Sequence, residues 1–446
     1  MIGPERFRAA AQRVLRASTA DQTEVVLLGT DSALTRFASS QVHQNVSESN
    51  AEIRVRAIVG RRAGVATTND LSDSSLDALS ERAIEIARLL PEDAELPRLS
   101  ENHPEPAGRV DDPTATCSPS TRATMVKVIC DLAVDAQLDA SGALTTERSE
   151  IGVLNSEGTS AYDESTRAHL VTVIMGAGSG YAERSSGSIG TIDAEAVGRE
   201  AVSRALRNRD PIRVEPGEYQ VVLEEYAVGE VLTYLAYIGF SAQAVQEGRG
   251  FMAGRLGQQI MDPRISIWDD AFDASGIPTG FDYEGATKHR VDLIQNGVAN
   301  AVVHDARTAR KAGVANTGHG LPAPSTFGPF PGHLFMTTGD VPRQHLAHGI
   351  DRGIWVTRFH YVNVAHPERA MLTGMTRDGT FLIEHGEITR PVANLRFTQS
   401  FLESFSALRA ISRESSLIDA WGGVVSAPAV ALDRFTFTGV TGDEAV

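Results

Sequence analysis

The sequence predicts an α+β protein with an N-terminal α+β domain of antiparallel strands and helices (residues 1–210) and a C-terminal β-rich domain (residues 211–446). Strand-like segments follow one another through links too short for parallel crossovers, which favours antiparallel pairing. Other segments carry apolar residues at helical spacing. A chain of 446 residues suits two or three domains. Pro211 marks a boundary because a proline disfavours helix in the residue before it.

The predicted N-terminal domain consists of two similar passes of strands followed by a helix, which we interpret as an internal structural duplication. Alternating apolar residues predict the strands, and apolar residues three and four apart predict the helices. In chain order the elements are a helix at 5–17, strands at 24–28, 34–37, 42–46, 52–59 and up to Thr68, a helix capped by Asp73, a proline-rich connector at 91–119, a helix at 121–137, strands at 142–147, 150–155, 159–175 and 179–184, and a helix at 194–209.

The predicted C-terminal domain begins with a strand at 219–223 that leads directly into a helix. Val228 and Leu232 lie on the apolar face of this helix, and Gly239 is expected to end it. Asn296-Gly297 is a strong hairpin signal between two strands. The strands are predicted at 265–268, 289–294, 298–304, 333–337, 353–363, 371–377, 379–384 and 424–438, with a turn at Asp378-Gly379 and helices at 306–312 and 401–411.

Composition excludes several classes of function. The 41 basic and 57 acidic residues give a net charge of −16, which argues against general nucleic-acid binding. Cys117 and Cys130 are too far apart for a CxxC motif, so no disulfide framework is expected. No apolar run has the length of a membrane span, and the N-terminal segment lacks the apolar centre of a signal peptide. The expected location is therefore the cytoplasm.

Several short motifs follow one another along the chain. They include RAIVGRRAG at 56–64, NTGHG at 316–320, TGD at 338–340 and IEHGEI at 383–388. Each motif is weak alone, but their order and spacing resemble the TldD/PmbA (TldD/TldE) peptidase family over nearly the whole chain. The resemblance implies a role in peptide-bond hydrolysis.

The same resemblance identifies the positions where a zinc site would lie. In the TldD half of the family, the helix carries His-Glu-x-x-x-His, with two zinc-ligand histidines and a general-base glutamate, and a cysteine near the C-terminus completes the site. Aligned on Ala227-Val228-Gly229, the helix positions are Glu225, Tyr226 and Glu230 here, and the corresponding C-terminal segment, 419–426, contains no cysteine. The chain is thus more similar to the PmbA/TldE half, which implies no metal ligands and no confident catalytic residue in this chain.

Physical chemistry also disfavours a carboxylate zinc site on this helix. Zinc in proteins prefers histidine nitrogen and thiolate sulfur, although carboxylates also bind it. Glu225 and Glu230 are about 140° apart around an ideal helix, so they meet at one ion only if Glu225 precedes the regular helix. Glutamates at a helix N-terminus also interact favourably with the helix dipole, which explains Glu224 and Glu225 more simply.

Three functions are compatible with the sequence. The first is a zinc-free, PmbA/TldE-like subunit of a heterodimer in which a TldD-like partner supplies zinc and cuts extended or modified peptides, including natural-product precursors. The second is a peptide-binding homodimer without catalysis. The third is a stand-alone metallopeptidase or amide hydrolase that uses Glu225, Glu230 and a histidine brought in by folding. The missing ligand set favours the first, with no cofactor in this chain.

Overall fold

The computed structural model describes residues 1–440 and confirms the predicted α+β class. Residues 1–207 form one antiparallel sheet with helices packed against it. Its elements are α1 Pro4–Ala17, β1 Gln22–Ala38, β2 Gln41–Val59, β3 Arg62–Thr68, α2 Asp73–Leu89, α3 Asp112–Ala115, α4 Pro119–Asp135, β4 Asp139–Asn155, β5 Ser160–Met175, β6 Ser179–Ser186 and α5 Ala194–Arg207.

The first sheet has the strand order β3-β2-β1-β4-β5-β6, with β1 and β4 paired at its centre. Helix, three strands and helix therefore occur twice, in agreement with the expected duplication. Each half buries its own apolar core. Phe7 and Leu76 of the first half pack on β1–β3, and Ile129 and Val197 of the second half pack on β4–β6.

Several local predictions in this part were wrong. The strands predicted at 42–46 and 52–59 are one strand, β2, and those predicted at 142–147 and 150–155 are one strand, β4. The paired short strands at 24–28 and 34–37 are one continuous strand, β1, because its ladder with β2 runs through the polar residues between them. These polar residues stay at least partly exposed, so the strand does not need an apolar pattern there. Asp73 is the first residue of α2, and Ser72 occupies the N-cap position.

The strands of the C-terminal part form a second sheet, which partly closes on itself. Its elements are β7 Gly217–Leu223, α6 Glu225–Gly239, α7 Ala242–Gln246, β8 Ile267–Asp269, β9 Val291–Gln295, β10 Val298–Ala299, α8 Ala306–Ala312, β11 His333–Met336, β12 Arg352–His366, β13 Met371–Glu384, β14 Glu387–Pro391, β15 Leu395–Ser400, α9 Phe401–Ser406, β16 Leu408–Ala420 and β17 Gly423–Val440. The order is β10-β9-β8-β11-β17-β15-β13-β12-β7, and β7 also pairs with β17, so β7, β12, β13, β15 and β17 close a ring.

Helix α6 and a cluster of aromatic side chains form the core of this second part. The apolar face of α6 is fully buried, as its spacing predicts, and Gly239 ends the helix. The aromatic cluster consists of Phe359, Phe397, Phe401, Phe435 and Phe437, with ring centroids 4.4–6.3 Å apart. The Asn296-Gly297 hairpin is confirmed, because both residues have the positive φ that a type I′ turn requires.

The structure corrects the prediction for three C-terminal segments. The strand predicted at 298–304 is limited to β10, Val298–Ala299. Residues 371–384 form one strand, because Asp378 adopts a positive φ of 54° within it rather than forming a hairpin turn. The helix predicted at 401–411 ends at Ser406, and β16 begins at Leu408. Apolar residues three apart fit either a helix or an irregular strand. Here the segment is a strand because Leu408 and Ile411 pair with β17.

Glu284 lies where the two parts meet and makes stability depend on pH. Its carboxylate accepts a hydrogen bond from Ala306 N at 2.9 Å, and Arg56 of β2 lies 3.8 Å away. Burial, with the nearby Asp282 carboxylate, raises the pKa of Glu284 to about 8. The folded protein therefore retains a proton that the unfolded chain loses near pH 4.3.

Replacing Glu284 with glutamine should reduce this pH dependence, and the remainder is expected from Asp282, whose pKa burial also raises. In the natural chain, stability should be full below about pH 4.3 and fall as the pH rises towards 8, by up to about 1.4 kcal/mol per pH unit. Urea unfolding of Glu284→Gln at pH 5, 7 and 9 should show a flatter profile and a gain at pH 9. Glu218→Gln, at an exposed position, is the control. Equal slopes for all three proteins would contradict the assignment.

Candidate functional site

The beginning of α6 lies in a buried polar network between the two sheets. Strand β7 leads directly into the helix, with Glu224 at the N-cap position. The Glu224 carboxylate pairs with Arg204 of α5 and accepts a hydrogen bond from Trp355 Nε1 at 2.5 Å. Arg204 and Glu224 are 7% and 5% exposed. This ion pair therefore joins the first part of the chain to the second.

Glu225 belongs to the same network rather than to an open site. Its side chain is 2% exposed, and Arg343 Nη1 lies 3.3 Å from both carboxylate oxygens. Burial raises the pKa of Glu225, and the charge of Arg343 opposes that rise. As the first residue of the helix, Glu225 also interacts favourably with the helix dipole. These contacts give Glu225 a structural role.

Tyr226 closes the network on the side of the first sheet. Its hydroxyl accepts a hydrogen bond from Arg184 Nη1 at 2.7 Å and lies 3.1 Å from a Glu200 carboxylate oxygen. The ring packs edge-on against Tyr181 of β6 with a centroid distance of 5.3 Å. Burial raises the pKa of Tyr226 to about 12, so the phenol stays protonated at neutral pH.

Glu230, one turn further along α6, lies outside this network. It lies on the wall of a cavity of about 400 Å³ that is also lined by Tyr234 and Trp421. Among residues 1–440, no hydrogen bond or ion pair engages its carboxylate. Burial raises the pKa of Glu230, while the charge of Arg358 opposes that rise. Of the three motif positions, Glu230 is the one that faces open space.

Exposed aromatic rings form one wall of this cavity. Tyr237, Phe327 and Trp421 have ring centroids 5.8–6.2 Å apart at interplanar angles of 54–83°. The three side chains are 44%, 49% and 58% exposed. Rings this exposed and this close form an apolar surface of the kind that contacts ligands or partners. We call Tyr237, Phe327, Trp421 and Glu230 the aromatic cleft.

The structure brings together two segments that the sequence analysis identified separately. Trp421 lies in the turn between β16 and β17, within the segment 419–426 that corresponds to the cysteine region of the family. This turn and Glu230 line the same cavity. Sequence reasoning missed Tyr237 and Phe327 as site residues. The available signal was the position of Tyr237, which lies seven residues after Glu230 and thus on the same side of the helix.

The donor set at this site does not fit zinc. Glu225 is held by Arg343, Tyr226 is held by Arg184, and only Glu230 faces the aromatic cleft. The three motif positions therefore do not converge on one ion. Within the described part of the chain, no group of three or more histidine, cysteine, aspartate or glutamate residues could hold a metal ion. Also within residues 1–440, no helix has the length and hydropathy that a membrane crossing needs.

Comparison with known families shows the class of protein to which this fold and site belong. Domain 1 of the PmbA/TldA metallopeptidases matches residues 23–87, their central domain matches residues 122–209, and their C-terminal domain matches residues 216–439. The class is therefore that of the metallopeptidase-related proteins. More narrowly, the chain belongs to the PmbA/TldD family, as its sequence motifs predict.

Individual relatives agree with this family. The chain is 25% identical to the metalloprotease TldD homolog of Haemophilus influenzae, over 87% of this chain and 86% of that protein. It is 23% identical to a metalloprotease of Methanothermobacter thermautotrophicus, over 64% of each chain. The crystal structure of TldE from Thermococcus kodakarensis has the same fold, with a TM-score of 0.88 and 19% identity over 97% of this chain and 100% of that chain.

Proposed function

We propose that this chain is a zinc-free, TldE-like subunit that pairs with a TldD-like zinc peptidase and helps to hold its extended peptide substrates. The main support for this proposal is where the side chains at the three motif positions lie. Glu225 and Tyr226 form their contacts within the buried network between the sheets. Glu230 is therefore the only one of the three whose side chain lines the cleft. One carboxylate does not make a zinc site, because zinc in proteins takes three or four protein ligands.

The aromatic cleft supports a role in binding rather than in bond cleavage. Its cavity of about 400 Å³ falls within the size range of ligand pockets. Aromatic side chains at binding surfaces supply a large contact area with little loss of conformational freedom. An extended peptide also presents its side chains on alternate sides, so an apolar cleft can accept one side chain with little regard to the remaining sequence. In the proposed heterodimer, hydrolysis is the task of the partner's zinc.

Co-expression with a TldD-like chain from the same genome tests the proposal. We expect a 1:1 complex on size-exclusion chromatography and peptidase activity in the complex. This chain alone should bind less than one-tenth of an equivalent of zinc by elemental analysis and should cleave no peptide. Glu230→Gln should leave the activity of the complex within about twofold, because the carboxylate is not a metal ligand in this proposal.

Three outcomes would contradict the proposed function. A TldD-like chain that keeps full activity without this chain would remove its role as a subunit. Stoichiometric zinc in this chain alone, lost in Glu230→Gln together with hydrolysis, would instead support a stand-alone enzyme. If peptides bind but no mixture cleaves them, the function is that of a peptide-binding homodimer.

A further inference from the structure

A second cavity, of about 420 Å³, lies between the first sheet and the loops of the C-terminal part. On one side its wall is formed by β4 and β5, with Glu147 and Ser149 among the lining residues. On the other side it is formed by the loop that carries Lys288 and by the start of β11 at His333. Gly422, next to Trp421, lines this cavity as well, so the β16–β17 turn separates it from the aromatic cleft.

Lys288 is the unusual residue of this interdomain cavity. It is one of three lysines in the chain and is 9% exposed. Its backbone is held by a hydrogen bond from Lys288 N to Gly280 O at 3.1 Å. Among residues 1–440, no side chain or backbone oxygen forms a hydrogen bond or an ion pair with its ammonium group. Charged side chains at such buried positions are normally paired, because an unpaired charge that is taken out of water is costly.

Asp269 and Asp282 interact electrostatically with Lys288, but both carboxylates already accept hydrogen bonds from other donors. Asp269 accepts hydrogen bonds from His319 Nε2 at 2.9 Å and from His333 N at 2.7 Å. Asp282 accepts from Gly320 N at 2.7 Å and from Ala286 N at 2.9 Å. They stabilise the ammonium charge at a distance but leave its N–H donors unpaired. The donors of Lys288 are therefore available to a group that enters the cavity.

The charges of the cavity define the chemistry of that group. Lys288 is the only lysine or arginine among the described lining residues. Burial lowers the pKa of His333 to about 4, so its imidazole is neutral at pH 7. The opposite wall carries four acidic residues, among them Glu147, whose carboxylate accepts a hydrogen bond from Ser149 Oγ at 2.6 Å. One cation facing an acidic wall suits a singly charged anion that also carries N–H donors. A phosphate dianion would meet repulsion and no arginine.

We propose that the interdomain cavity binds the C-terminal residue of a peptide, with its carboxylate on Lys288 and its N–H groups towards Glu147. This inference rests on the proposed function in taking a peptide as the ligand. It adds that the chain recognises a free C-terminus, at a site separate from the aromatic cleft. A peptide whose end is anchored here would be aligned by its terminus rather than by its sequence.

Peptide binding to the purified chain tests the site. The probes are a fluorescein-labelled, alanine-rich pentapeptide with a free C-terminal carboxylate and the same peptide with a C-terminal amide. By fluorescence anisotropy, we expect the free acid to bind at least about 10-fold more tightly than the amide, as a hydrogen bond to a charged group implies. Lys288→Met should reduce the affinity for the free acid to that for the amide, and Lys288→Arg should retain part of the preference.

The small number of lysines provides a matched control and a second readout. Lys127 is exposed and pairs with Asp131, so Lys127→Met should leave both affinities unchanged. With the natural chain, the free-acid peptide should protect Lys288 from acetylation by acetic anhydride, as measured by mass spectrometry, and should not protect Lys127 or Lys311. The labelling result does not depend on how well the Lys288 variants fold.

Equal affinity for the acid and the amide, or unprotected Lys288, would overturn the inference and would leave an ammonium group solvated by water. Failure to bind either peptide would overturn it as well. The 1:1 complex with a TldD-like chain is measured independently of these peptides. A complex without C-terminus recognition would thus contradict this inference and leave the proposed function intact. Recognition of the C-terminus without a complex would contradict the proposed function and leave this inference intact.

Discussion

Replacing Arg204 with methionine is expected to lower the free energy of unfolding by about 3–5 kcal/mol. Arg204 is buried and donates to Tyr181 O at 2.7 Å and to Glu200 Oε1 at 2.5 Å, and it also pairs with Glu224. Its removal leaves the buried Glu224 carboxylate without its paired cation. Removing one partner of a buried ion pair is costly because the charge that remains is uncompensated. This holds whatever the intact pair contributes to stability.

Urea unfolding followed by tryptophan fluorescence measures this effect, because Trp355 donates to Glu224 and reports on the network. Arg199→Ala is the matched control on the same helix, since Arg199 forms an exposed pair with Glu195, and it should change stability by less than about 0.5 kcal/mol. The double variant Arg204→Met, Glu224→Gln should lose less unfolding free energy than Arg204→Met alone. A double variant as unstable as the single one would show that packing, not charge, carries the loss.

Replacing Phe435 with alanine should also destabilise the chain by about 3–5 kcal/mol, through the cavity that it leaves. Phe435 is 0% exposed and lies on β17, one of the strands that form the closed ring. Its ring centroid lies 5.0 Å from that of Phe437 and 5.6 Å from that of Phe397. The neighbouring strands close on one another, so the site cannot collapse easily around the lost ring.

Thermal and urea unfolding of Phe435→Ala provide the measurement. Phe272→Ala is the matched control because Phe272 is 44% exposed, and it should change stability by about 0.5 kcal/mol or less. A loss below about 1 kcal/mol in Phe435→Ala would mean that the ring of strands relaxes around the cavity. That result would contradict the rigid closed ring inferred from the pairing of β7 with β17.

The candidate site was partly predictable. The helix, its start after β7 and the positions of Glu225, Tyr226 and Glu230 follow from local spacing, and the family motifs identified the segment 419–426. Which way each side chain turns was not predictable. Tyr226 meets Arg184 from 42 residues away, and Glu225 meets Arg343 from 118 residues away. Such partners are chosen by the packing of one sheet on the other, which no local pattern encodes.

By itself, the sequence determined the α+β class, the apolar face of α6, the Asn296-Gly297 turn and the lack of the histidine and cysteine ligand set. These properties depend on residue identity and on spacing over a few residues, where the physical preferences are local. The tertiary structure alone decided that β7 and β17 close a ring and that Lys288 lies buried beside a cavity. Both result from contacts between distant segments, where burial summed over the whole chain outweighs local preference.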